Sequence, residues 1–211
     1  MSALIYLHGF ASGPDGHKGR HCRAWAEAHG VAFHAPDLNL PTFEGLTVTA
    51  QVRAVEALLA GLTTAPVLVG SSLGGLVAAA VAYRGVALRH LVLLAPAFGF
   101  ARRRLEGERW EGYRHHRRLK VFHHAENRWM RLGPDLLEDL PVWRDDEAWI
   151  VDGSMTLIHG VHDEAVPVAE SRAFAARQPD AVLHEVNDDH GLLAPETLAL
   201  LETVLAAATR E

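Results

Sequence analysis

Five residues, Gly70-Ser71-Ser72-Leu73-Gly74, limit the architectures open to this chain more than any others. The apolar run Val67-Leu68-Val69 leads into them, and a small-residue apolar run from Leu76 to Ala82 leads out. This is G-x-S-x-G between a strand and a helix, the setting in which a serine is lifted from a sheet on a sharp turn. Such a turn needs unfavourable backbone angles at its tip. Glycines on either side, here Gly70 and Gly74, let neighbouring backbone approach without a Cβ clash. The helix that follows points its first amides, and the positive end of its dipole, at whatever sits on Ser72. That is half of an oxyanion site.

The rest of the chain alternates in the same way. Leu4-Ile5-Tyr6-Leu7, Val31 to Ala35, Val67 to Val69, Leu91 to Ala95, Met155 to Ile158 and Ala181 to Val186 read as six strands. Helical spacing is expected near 18–28, 49–62, 73–83, 168–177 and 195–208. Mostly continuous apolar strands separated by helices predict parallel strands covered on both faces. Right-handed crossovers then give a doubly wound, mostly parallel six-stranded sheet. At 211 residues the chain suits one domain, 1–211, with a segment at 98–149 that interrupts the alternation after the fourth strand. A short helical lid is expected there.

In such sheets the loops after the carboxyl ends of the strands line the ligand crevice. His8-Gly9-Phe10 follows the first strand and Ser72 the third. His159-Gly160-Val161-His162-Asp163 closes and follows the fifth, and Asn187-Asp188-Asp189-His190-Gly191 the sixth. A serine hydroxyl needs a base to take its proton, and the base needs a third group to orient it. The order Ser…Asp…His makes His190 the general base and Asp163 its partner. Glu164, Asp188 and Asp189 compete for the carboxylate role, and His8, His159 and His162 for the base. His8 and His159 are expected to shape their loops, His162 to sit at the rim, and Ser71 to turn away from the cleft.

His8-Gly9, the Ser72 turn, the segment His159-Gly160-x-x-Asp163-x-x-Val166-Pro167 and Asp189-His190-Gly191 resemble the α/β-hydrolase superfamily. The start Leu4 to Pro14 with Lys18, and Val69 to Gly75, are similar more narrowly to the small YqiA-type serine esterases. The resemblance implies hydrolysis of a carboxylic ester or thioester through an acyl-serine. It also implies oxyanion donation by the backbone N–H groups of Leu73 and Phe10, about 3–4 kcal/mol of barrier for one donor. The same triad could serve lactone or C–C hydrolysis, and a chain that had lost turnover would be a binding protein of the same shape.

Charge is uneven. Ten of the 20 basic residues lie between Arg102 and Arg131 against four glutamates, a local +6 that leaves −12 for the rest of a chain at −6. The plain expectation is an amphipathic lid with a solvated basic face. The sharper one is a small-molecule acyl substrate that is anionic. The acidic remainder argues against nucleic acid. No apolar stretch approaches the roughly 20 residues of a membrane span. Met1-Ser2-Ala3 carries no basic leader region, and one cysteine, Cys22, suits a reducing compartment, so a cytoplasmic location is expected. The histidines at 17 and 21, 115 and 116, and 123 and 124 lack the carboxylate spacing of H-E-x-x-H, and no nucleotide-binding glycine motif occurs. Neither metal nor cofactor is expected.

Overall fold

The computed structural model describes residues 3–210. The leader reading rests partly on Met1 and Ser2, which lie outside them. Six strands form one sheet: β1 (Ala3–Leu7), β2 (Ala32–His34), β3 (Val67–Ser71), β4 (His90–Leu94), β7 (Met155–Gly160) and β8 (Ala181–Val186). Their order is β2-β1-β3-β4-β7-β8, and every pairing is parallel.

The near-continuous apolar strands are explained by burial on both faces, and residue parity divides the core in two. Ile5, Leu7, Leu68, Leu91, Leu93 and Leu157 face one cluster with the helices α2 (Val48–Ala60) and α3 (Leu73–Tyr83). Leu4, Tyr6, Val67, Val69, Val92 and Leu94 face the other, with α1 (His17–Ala28) and α8 (Pro195–Thr209). From Leu73 to Ala82 every residue of α3 is buried, which is why its sequence is apolar all round rather than striped. Thr47 caps α2 by accepting a hydrogen bond from the Ala50 amide at 3.1 Å, a standard N-cap arrangement. Helix α7 (Val168–Ala175) covers the β7–β8 side through Phe174.

The segment between β4 and β7 corrects one expectation, because it is not wholly helical. Besides the short helices α4 (Phe100–Glu106), α5 (Glu111–His116) and α6 (Asp135–Asp139) it contains an antiparallel hairpin, β5 (Leu119–His123) with β6 (Arg128–Leu132). Alternating side chains, with Val121 opposite Met130 and Leu119 opposite Leu132, favour pairing over a helix. Asn127 at φ 49° closes the turn, a left-handed position that asparagine tolerates. The turn is anchored: the His124 amide donates to the Ala11 carbonyl at 2.8 Å.

Strands added after β1 go to opposite sides, β2 to one and β3 to the other, so the chain reverses direction between β1 and β3. The loops following these two strands therefore flank the crevice that such a reversal opens.

Candidate active site

Ser72 sits at the tip of the β3–α3 turn with φ 54° and ψ −117°. That strained conformation is held on all sides. The Ser72 amide donates to Leu94 O at 2.9 Å, while the Ser72 carbonyl accepts from Gly75 N and Ala97 N, both at 2.9 Å. A Cβ on Gly70 would lie 2.3 Å from the Gly74 carbonyl, and one on Gly74 would lie 2.3 Å from the Leu7 carbonyl. The turn is thus closed by backbone approaching backbone, which only glycine permits. Strand parity sends Ser71 to the opposite face, where it is 3% exposed and hydrogen-bonded to the Tyr6 hydroxyl. It is absent from the larger of the two clefts beside Ser72 but, against expectation, lines the smaller one.

His190 Nε2 lies 3.0 Å from Ser72 Oγ, and His190 Nδ1 lies 2.6 Å from Asp163 Oδ2. The tautomer follows from the carboxylate. Asp163 Oδ1 accepts the amides of Ala165 and Val166, each at 2.8 Å, which leaves Oδ2 for His190. Nδ1 therefore carries the proton, and Nε2 is free to accept from the serine hydroxyl. Burial alone would raise the Asp163 pKa. Hydrogen bonds from His159, His190 and the Val166 amide outweigh burial and hold the carboxyl well below the usual range. The rival carboxylates are otherwise engaged. Asp188 accepts the Asp189 and Ala194 amides, and Asp189 accepts the Gly191 amide, so both build the turn that presents His190. Glu164 lines the cleft without reaching His190.

His159 is fully buried behind the triad. Its Nε2 donates to Val166 O at 3.0 Å and lies 3.2 Å from Asp163 Oδ2, while Nδ1 is 2.7 Å from Ser171 Oγ. His8, 2% exposed, donates from Nδ1 to Gly9 O at 2.9 Å and accepts the Leu38 amide at Nε2 at 2.8 Å. Burial pushes its pKa down, so this neutral tautomer is the resting one. It fixes the loop carrying Phe10, which packs so near the turn that a Cβ on Gly9 would sit 3.2 Å from Ser72 Cβ. His162 is at the rim, bonded to Asn187. Leu73 opens α3, so its amide has no partner within the helix. Phe10 lines the cleft with Ser72 on both sides.

Two clefts meet at Ser72 and His190. One, about 640 Å³, runs under the β4–β7 segment past Phe100, Arg104 and Trp110. The other, about 330 Å³, runs between Tyr6, Ser12, Lys18 and Gly191. Two residues here hold places that the sequence alone did not assign them. His124, at the hairpin turn, lines both clefts; the alternation around it was the available signal. Lys18 donates to Gly191 O at 2.6 Å and to His190 O at 3.4 Å. His21 Nε2 lies 3.2 Å from Glu202, and among the described residues no cluster of three or more metal-ligating side chains occurs. Cys22 is buried, which pushes its thiol up to about 12. Among the described residues no helix is long and apolar enough to cross a membrane.

The sequence model of UPF0227, an uncharacterised protein family, matches residues 3–197. No curated protein sequence matches the chain. Its fold is that of α/β-hydrolases of known structure. An Agrobacterium vitis S4 protein assigned as a hydrolase superposes with a TM-score of 0.86 at 22% identity, covering 99% of this chain and 88% of that one. Mouse alpha/beta hydrolase domain-containing protein 10 gives 0.78 at 22%, covering 97% and 88%. Est1E of Butyrivibrio proteoclasticus gives 0.77 at 20%, covering 98% and 86%.

Proposed function

The chain belongs to the UPF0227 family, and we propose that it is a serine hydrolase that cleaves carboxylic esters or thioesters through an acyl-serine intermediate. One observation carries this reading: the chain of contacts from Ser72 Oγ through His190 to Asp163, at 3.0 and 2.6 Å. As Oγ attacks the acyl carbon, His190 Nε2 takes its proton, and Asp163 stabilises the resulting imidazolium. The amides of Leu73 and Phe10 receive the charge that develops on the carbonyl oxygen. The tetrahedral adduct collapses, the C–O or C–S bond breaks, and His190 returns the proton to the leaving group. Water, activated by the same histidine, then releases the acid. Residues 98–149 cover the cleft as a lid within one domain. The likeness to Est1E and to the monoacylglycerol lipase of Paleococcus ferrophilus supports an acyl substrate.

Labelling with a fluorophosphonate followed by peptide mapping tests the nucleophile. A single adduct on Ser72, absent from Ser72→Ala, is expected, together with loss of ester turnover in that variant and an unchanged circular dichroism spectrum. Substantial turnover by Ser72→Ala would sink the assignment.

A further inference from the structure

Arg102, Arg103 and Arg104 are consecutive on α4, and the first two are spoken for: Arg102 pairs with Glu147 and Arg103 with Glu170. Arg104 is different. It is 8% exposed, lines the larger cleft together with Ser72 and His190, and among the described residues has no carboxylate within ion-pair distance. Among the described residues its Nε finds no hydrogen-bond partner, and its one side-chain bond, from Nη1 to Phe100 O, is 3.5 Å long. A buried cation without a counter-ion is costly. Aromatic rings offset part of that cost: the guanidinium carbon lies 3.3 Å from the centroid of Phe100, 4.4 Å from Trp110 and 5.2 Å from Phe10. Rings over its faces leave the planar edge of the guanidinium for a partner. That edge is matched by another planar group, a carboxylate, through two parallel hydrogen bonds. Glu108 and Glu164 also line this cleft but do not reach Arg104, and Arg109 adds a further positive group to the same wall.

We infer that Arg104 is a specificity residue that receives a carboxylate carried by the substrate, so the preferred ester or thioester is a monoacid rather than a neutral molecule. This rests on the hydrolase reading above and names its substrate class.

The test compares four esters: 4-nitrophenyl hemisuccinate with 4-nitrophenyl butyrate, and 4-carboxyphenyl butyrate with phenyl butyrate. The pairs place the carboxylate on the acyl and on the alcohol side. The wild-type protein is expected to favour the charged member of one pair at least tenfold in kcat/KM, and Arg104→Met to reduce that ratio at least tenfold. An unchanged ratio in a folded Arg104→Met protein would overturn the inference. A measurement without Arg104 variants guards against misfolding. Succinate should bind Ser72→Ala calorimetrically at least tenfold more tightly than succinamide, and equal binding also overturns the inference. If no ester is cleaved yet succinate binds selectively, the hydrolase reading falls and the carboxylate site stands.

Discussion

Two cations flank Ser72, a half-buried lysine and a buried arginine, and have been treated in opposite ways. Lys18, on the α1 side, donates to the carbonyls of Gly191 and His190. Burial lowers its pKa to about 8, and the charges of Asp163, Asp188 and Asp189 limit the drop. Its hydrogen bonds go into the loop that carries His190. Arg104, on the other side, is wrapped by rings and meets no carboxylate among the described residues. A half-buried charge bonded to main chain positions other groups. One left without a counter-ion beside Ser72 is available to something that arrives.

The largest effect belongs to neither cation and sets the scale for both. Asp163→Asn should lower kcat by about 10⁴, because the imidazole loses its oriented tautomer. Steady-state assays should show the same loss on charged and neutral esters. Lys18→Met is expected next, with kcat reduced about 10–100-fold, the range of a misplaced catalytic group, and again without regard to substrate charge. Its pH signature separates positioning from folding. In the wild type, activity should fall as pH rises through about 8, where the ammonium loses its proton. The stability contribution runs the other way. Between that pKa and the usual value near 10.5 the unfolded chain binds the extra proton, so this group makes the fold more stable as pH rises. An alkaline loss of activity that coincided with unfolding would break the argument. Arg104→Met should act on the charged-to-neutral ratio by at least about tenfold, the range for one buried charged hydrogen bond. A uniform loss on all four esters would make the two cations alike and erase the contrast. The smallest effect should come from Glu147→Gln, which frees Arg102 at the surface of the same helix. Thermal unfolding should place it within about 0.5 kcal/mol of wild type.

The contact among Ser72, His190 and Asp163 could be read from the sequence because each residue closely follows a strand, and the carboxyl ends of parallel strands share one edge. Nothing beyond strand order was needed to bring Ser72, Asp163 and His190 together. Even the orientation of Ser71 follows from its parity with Val67 and Val69. Arg104 could not be found that way. In sequence it is the third of three identical residues, and its isolation appears only when Glu147 and Glu170 turn out to serve its neighbours. The hairpin was obscured for a related reason. Its strands carry Lys120, His123, Arg128 and Arg131, so the polar charge pattern masks a period of two built on few apolar residues. Lys18 stood in the motif, but its bond to Gly191 spans 173 positions.

The place where the cover enters the sheet has a consequence for how it can change. β4 and β7 are parallel neighbours, with Leu94 beside Ile158. Chain leaving the top of β4 must come back to the bottom of β7 before it can pair, a journey of at least a dozen residues. The stretch that shapes the cleft is therefore also the crossover that lets the sheet exist. It can be rewritten or lengthened but not deleted. Exchange of this stretch between relatives would transplant selectivity only if the incoming piece still makes the return trip. Cleft shape and sheet connectivity are inherited together.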